Sequence, residues 1–353
     1  MTIYIVDIEA VDTRYTKQWK EYLPVQLRNS TNVNDIAVEV ISGGETPQAT
    51  TPGAFLNFGG TNVYKSKQLE TIGEMFCAGK IKNNDYFLYT DAWNPTVIQL
   101  RYMAELLGIN IRIGGLWHAG SYDPADFLGR LIGNKPWVRH AEKSMYECYD
   151  HNFFATDFHI NMFLDTFQDV DKTRTHRVGW PMEYLAHSLD SYKNMPKEDL
   201  ILFPHRIAPE KQPDIFRELR TQLPNYEFVV CQEQQLTKNE YHNLLGRAKI
   251  VFSANLQETL GISWYEGALV DTIPMVPDRL SYKEMGLPEF KYPSEWTTTF
   301  KSYTHHKAEV RERITDYIEN YDKYLPLIQK QVTKLKTDYF SGKKLYKEIC
   351  YDN

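Results

Sequence analysis

"FSANLQETLGISWYEGALV", residues 252–270, sets Glu258 three residues before Gly261 and Glu266 inside an apolar segment. Its neighbours decide the fold. "KIVFSA" (249–254) reads as a buried strand, "SWYEGALV" (263–270) as a helix and "TIPMVP" (272–277) as the next strand. Strand, helix and strand in that order, with continuous apolar strands, specify a parallel sheet covered by helices. If "ISWYEGALV" is helical, Gly261 allows a tight turn at its N-terminus, and the amides from Thr259 through Leu260 and Gly261 to Ile262 lack intrahelical partners. Such amides suit a phosphate or a sugar hydroxyl. Glu266 then lies about 6 Å along the helix from its start. A capped helix with Glu266 exposed is the bland alternative, but the Trp264, Tyr265, Ala268, Leu269 and Val270 around it make a poor setting for an idle charge.

The same rhythm runs through the chain. "TIYIVDI", "IAVEVI", "DYFLYT", "INIRIGGLW", "HNFFATDF" and "THRVGW" read as strands of a first half. Between them, "TKQWKEYLPVQLR" is a helix interrupted by Pro24, while "KSKQLETIGEMFCAG" and "TVIQLRYMAELLG" are uninterrupted helices. "LDSYKNMPKEDL" (189–200) reads as a linker, after which "LILFP", "YEFVVC", "KIVFSA" and "TIPMVP" alternate with helices. The expected architecture is α/β, with two doubly wound Rossmann-like domains facing across a cleft, at 1–190 and 197–306. A helical tail at 307–353 is expected to pack back on the first domain.

A length of 353 residues fits two domains better than one core, and 42% hydrophobic residues argue against disorder. The formal charge of −6 gives no general attraction to nucleic acid or anionic membrane, so an acidic partner needs a local basic patch. Four cysteines stand far apart with no C-x-x-C pair, which suits reduced thiols in a cytoplasm. The N-terminus is acidic where a signal peptide is basic, and no apolar run reaches the roughly 18 residues of a membrane span. The expectation is a cytoplasmic protein with no membrane partner.

"LFPHRIAPEKQPDIFREL" adds two cations. Arg206 follows a buried strand and Lys211 opens the next helix, a placement that can neutralise a diphosphate leaving group. Surface salt bridges are the alternative. Taken with "QETLGISWYEGALVDTIPMV" some fifty residues later, these residues resemble the C-terminal domain of retaining GT-B glycosyltransferases of family 4. The resemblance covers roughly residues 198–290. It implies that Arg206 and Lys211 bind the diphosphate of a nucleoside diphosphate sugar, such as a UDP-sugar. Glu258 with the amides of Thr259, Leu260 and Gly261 would bind the donor sugar, and Glu266 the ribose. Gly59 and Gly60 of "LNFGGTNVYKS" would approach the diphosphate, although a GG pair is also an ordinary turn. His118 would contact the reacting centre. Asp123 would orient an acceptor hydroxyl or simply shape the "SYDP" turn.

The segment "QEQQLTKNEYHNLL" is shorter than the family pattern where the nucleotide base sits. The one D-x-D, "DVD" at 169–171, reads as loop, so no metal is expected, and no cofactor beyond the donor substrate. The first half also resembles glycosyltransferases encoded by bacteriophages. That resemblance implies a hydroxymethylated pyrimidine in DNA as acceptor, with Arg139, Lys143 and the six lysines from Lys330 to Lys347 contacting phosphates. A cell-surface or secreted glycan is the alternative acceptor.

Overall fold

The computed structural model describes residues 1–11, 14–30, 36–47, 49–51 and 56–351. Two compact units are present: Met1–Met182 with Ser341–Asn353, and Glu183–Phe340.

The first unit contains β1 (Thr2–Val6), α1 (Tyr15–Ser30), β2 (Ala37–Ile41), α2 (Phe58–Cys77), β3 (Tyr86–Tyr89) and α3 (Thr96–Leu106). It continues with β4 (Arg112–Leu116), α4 (Phe127–Ile132), α5 (Pro136–Cys148), β5 (His151–Phe154), α6 (Asp157–Thr166) and β6 (Thr175–Arg177). Its strands form a parallel sheet in the order β2-β1-β3-β4-β5-β6. The second unit contains α7 (Tyr184–Leu189), β7 (Glu198–Phe203), α8 (Pro213–Gln222), β8 (Glu227–Val230), α9 (Lys238–Arg247) and β9 (Ala248–Phe252). There follow α10 (Ile262–Leu269), β10 (Ile273–Pro277), α11 (Tyr282–Met285), β11 (Lys291–Tyr292), α12 (Phe300–Glu319) and α13 (Tyr321–Asp338). This sheet is also parallel, in the order β11-β10-β9-β7-β8. The closing helix α14 (Lys343–Tyr351) belongs to the first unit.

The central strands β3 and β10 are buried on both faces, which is why "YFLY" and "IPMVP" carry no polar side chain facing water. In β4 the close approach of two rings requires glycine. A Cβ on Gly115 would stand 2.6 Å from the Tyr149 ring, and one on Gly114 2.6 Å from Phe153.

Four sequence expectations are corrected. Helix α1 runs through Pro24, because Trp19, Leu23 and Leu27 at helical spacing bury one continuous face. The strand "HNFFATDF" ends at Phe154, since the Thr156 side chain accepts the His159 amide and starts α6. The division between units falls at 182/183, ahead of the expected linker. Residues 189–200 are instead part of the second unit, with the Lys197 ammonium donating to the carbonyls of Ala248 (3.0 Å) and Val270 (2.6 Å) and to Thr272 Oγ1 (3.0 Å). Of the 307–353 tail, α12 and α13 belong to the second unit, where they pack on α8, β9 and α10. Only α14 joins the first, through contact with α1 and a hydrogen bond from Gln26 to the Tyr346 hydroxyl. Asp352 and Asn353 lie outside the described residues.

Burial draws the Lys197 ammonium down to about 7. The unfolded chain keeps that proton up to about pH 10. The folded state therefore binds fewer protons between these values, and stability gains with rising pH across that window. Urea unfolding from pH 7 to 9.5 is expected to show this gain in the wild type and not in Lys197→Met. At pH 7 the variant is expected to lose roughly 1–3 kcal/mol, because buried acceptors lose their donor.

Candidate functional site

In the second unit the chain leaves β7 at Phe203 and passes through His205 and Arg206 into a short 3-10 turn, Pro209–Lys211. Lys211 therefore precedes α8 rather than opening it. Gln212, in the left-handed region at φ 53°, makes the corner, and its side chain donates to the carbonyls of Ala254 and Thr297 (both 2.6 Å). Lys211 is only 7% exposed. Its ammonium donates to the Gln257 carbonyl (2.5 Å) and stands 3.3 Å from Glu258 Oε2. The turn after β7 and the loop after β9 are thus tied together by one cation. Arg206 is paired with Glu210, whose backbone carbonyl accepts the Leu256 amide (2.7 Å).

Gly261 has φ +80°, and a Cβ there would stand 2.5 Å from the Trp264 indole, so this corner needs glycine. One of the amides expected to lack an intrahelical partner is met from outside the helix. Glu258 itself accepts the Gly261 amide (3.0 Å), capping α10 with its own carboxylate, and also accepts from Asn255 Nδ2 (3.2 Å). The Leu260 side chain is buried and its carbonyl accepts from Trp264 Nε1 (3.2 Å); Thr259 is half-buried. Burial pushes the Glu258 carboxyl up, but the Lys211 ammonium and the hydrogen bonds outweigh it and hold the group below its ordinary value.

Glu266 is 4% exposed, which excludes the solvated-face alternative. Its two oxygens accept from the Tyr241 hydroxyl (2.9 Å) and Lys238 (3.1 Å), both on α9. The rest of α10 is held by the core, with Tyr265 stacked on Phe340 at 3.9 Å and Trp264 edge-on to Tyr282.

Sequence reasoning missed several partners. Asn255 donates to the Tyr282 hydroxyl (3.0 Å) as well as to Glu258. The Arg279 guanidinium holds the carbonyls of Ala254 and Asn255 (both 2.7 Å) and of Ser294 (2.8 Å), fixing the loop in which Asn255 lies. Burial, with Lys211 beside it, pulls His205 down to about 3, so its ring is neutral. His205 Nε2 and Asn255 Oδ1 are buried and have no hydrogen-bond partner among the described residues. The one available signal was position: each follows directly on the C-terminal end of a parallel strand, where such sheets bind ligands.

In the first unit, His118 follows β4. Its Nε2–H donates to the Thr90 carbonyl (2.6 Å), so Nδ1 accepts from the Tyr15 hydroxyl (2.5 Å). Trp19 and Trp180 pack against the ring, and burial draws it down to about 4. The imidazole is therefore neutral with both nitrogens engaged. Asp123 shapes its turn, accepting the Ala125 amide (2.9 Å), and Asp126 caps α4. Gly59 and Gly60 lie within the first turn of α2 rather than in a loop before it, and the Gly60 amide is taken by the N-cap Asn57 (2.8 Å).

The proposed phosphate contacts are also differently disposed. Arg139 donates to Ser121 (3.1 Å) beside the buried Glu142, and Lys143 pairs with Asp169 of "DVD". Asp171 of the same triplet caps a 3-10 turn through the Thr173 amide. Among the described residues no group of three or more His, Cys, Asp or Glu is placed to hold a metal ion. The basic tail is divided at 340/341, with Lys330, Lys334 and Lys336 in the second unit and Lys343, Lys344 and Lys347 in the first. No helix among the described residues is long and apolar enough to cross a membrane.

Replacing Lys211 by Met leaves Glu258 in place without its ammonium. In the wild type the lowered carboxyl contributes stability that is present above about pH 4.3 and lost as pH falls through the folded value. In Lys211→Met burial is opposed only by the remaining hydrogen bonds from Gly261 and Asn255, so that contribution shrinks. A loss of roughly 3 kcal/mol at pH 7 is expected, shrinking as pH approaches 4, in urea unfolding followed by tryptophan fluorescence.

No protein-family model matches the chain, and no curated protein matches it. Solved structures do. A glycosyltransferase from Rickettsia africae aligns with TM-score 0.61 at 12% identity, covering 100% of this chain and 99% of its own. WaaG, a glycosyltransferase involved in lipopolysaccharide biosynthesis, aligns with TM-score 0.61 at 10% identity, covering 99% and 100%. S. aureus TarM, in complex with UDP, fondaparinux and α-GlcNAc-glycerol, aligns with TM-score 0.53 at 12% identity over 81% of this chain. This chain spans only 59% of TarM's length. The fold is that of GT-B glycosyltransferases: two parallel sheets, each layered with helices.

Proposed function

We propose that this chain transfers a sugar from a nucleoside diphosphate sugar to a hydroxyl acceptor. The observation that carries the reading is the constellation in the second unit. Lys211 and Glu258 meet at the carboxyl ends of β7 and β9, Arg206 stands on the same turn, and Glu266 is buried on the helix that Gly261 opens. Two cations at that place suit a diphosphate. The unpartnered His205 Nε2 and Asn255 Oδ1 suit a polar ligand beside them. Glu266 suits a ribose diol, with Tyr241 and Lys238 orienting its carboxylate.

In the retaining scheme the bond from the anomeric carbon to the phosphate oxygen breaks as the acceptor oxygen bonds to that carbon on the same face. The acceptor proton passes to the leaving phosphate, so no side chain serves as nucleophile. Arg206 and Lys211 would stabilise the charge growing on the diphosphate. With those cations in place, turnover is expected to persist in EDTA; activity abolished by EDTA and restored by Mn²⁺ or Mg²⁺ contradicts this.

UDP, the nucleotide in the TarM complex, is the first probe. Titration calorimetry is expected to detect binding that Arg206→Ala weakens about tenfold, since hydrogen bonds to charged groups contribute roughly 1.5–3 kcal/mol. Lys211→Ala is expected to weaken it at least as much. Unchanged affinity in both variants removes the site.

Two acceptors are proposed. A hydroxymethylated pyrimidine in duplex DNA follows from the likeness of the first half to phage-encoded enzymes, and requires a base extruded from the stack. Pairing of Arg139 and Lys143 with their own neighbours weakens its support. A cell-surface glycan is the reading supported by the likeness to WaaG, a glycosyltransferase involved in lipopolysaccharide biosynthesis. Mass spectrometry of nucleosides from hydroxymethylated DNA, incubated with the sugar nucleotides the protein binds, separates them. A hexose or pentose adduct supports the first, and its absence leaves the glycan.

A further inference from the structure

The first unit keeps three carboxylates beside the carboxyl ends of β1 and β3, and one face of α2 meets all of them. Thr61, Tyr64, Lys65 and Gln68 recur at helical spacing, and all four are buried. Asp7 accepts from the Tyr64 hydroxyl and the Gln68 amide (2.9 Å) and has Lys20 at 3.1 Å. Asp91 pairs with Lys65 at 3.0 Å. Glu9 is different. It is 2% exposed, Oε1 accepts from the Thr61 hydroxyl, and Oε2 has no hydrogen-bond partner among the described residues. Neither does any ion pair reach it there, whereas both other acids have one.

A carboxylate so enclosed with one bare oxygen is unfavourable unless something binds it. The Thr61 hydroxyl, in the first turns of α2, and the positive end of that helix offset part of the penalty. They leave Oε2 unanswered. Three carboxylates outnumber the two nearby cations, Lys20 and Lys65, so this place carries net negative charge, unsuited to a phosphate and suited to a neutral hydrogen-bond donor. Arg206, Lys211, Glu258 and Glu266, which carry the proposed donor site, lie in the other unit.

We infer that Glu9 is a substrate-binding carboxylate whose Oε2 accepts a hydrogen bond from a hydroxyl of the molecule that receives the sugar. This rests on the glycosyl-transfer reading. It gives the first unit a definite polar contact for a neutral, hydroxylated acceptor, on a loop fixed by β1 on one side and α2 on the other.

The test compares the wild type with Glu9→Gln and Thr61→Ser. Thermal unfolding reports on the burial of the charge, and UDP titration reports on the second unit. Release of UDP from UDP-glucose, UDP-galactose and UDP-N-acetylglucosamine reports on transfer, with water and with the neutral sugars glucose, galactose and maltose as acceptors. Glu9→Gln is expected to melt about 2 °C or more above the wild type, because an unpaired charge has left the interior. Its UDP affinity should stay within twofold, while kcat/KM for UDP release falls at least tenfold. Thr61→Ser, which keeps the hydroxyl, should stay within threefold throughout. A lower melting temperature in Glu9→Gln marks the carboxylate as a structural partner of α2 and overturns the inference, as does undiminished UDP release. A wild type that neither binds UDP nor turns over any of these donors overturns the transfer reading, and the inference with it.

Discussion

One buried ammonium organises the second unit. Lys211 reaches from the turn after β7 to the loop after β9, and the geometry of Glu258 follows from that contact. With the cation beside it, a largely enclosed carboxylate stays ionised and caps the Gly261 amide. That cap fixes the left-handed corner at Gly261, which in turn sets where α10 begins and on which side Glu266 stands. Take the cation away and each later step loses its cause.

Polar groups in both units are placed by the same rule. In a parallel sheet the strands are covered on both faces, so side chains that meet a ligand are confined to the loops at the strand ends. His205, Arg206, Asn255 and Glu258 occupy that position after β7 and β9; Asp7, Glu9, Asp91 and His118 do so after β1, β3 and β4. The two units then differ in charge. The second sets the Lys211 ammonium against its loop carboxylate, whereas the first has two cations against three carboxylates and leaves Glu9 without an ion pair among the described residues. On the proposed reading, a charged donor would suit the second unit and a neutral acceptor the first.

Several roles changed hands between residue type and residue environment. His118 and Asp123 are the sort of side chains that do acid–base work, yet one is clamped between Tyr15 and Thr90 and the other turns a loop. Lys238 and Tyr241, unremarked in the sequence, hold the buried carboxylate of α10. Lys197, in what reads as a polar linker, closes three acceptors inside the second unit.

By itself the sequence determined the α/β class, the two parallel sheets and the stretch around Gly261, because continuous apolar strands, helical periodicity and a glycine corner are local properties. Pairings were decided only by tertiary structure. Whether Lys143 is open to a phosphate depends on Asp169, 26 residues away, and whether α12 and α13 belong to one unit or the other depends on which core their apolar faces meet. Glu9 is the sharpest case. Its burial and its single bond to Thr61 come from a contact across 52 residues, and no reading of "VDIEAVD" alone contains it.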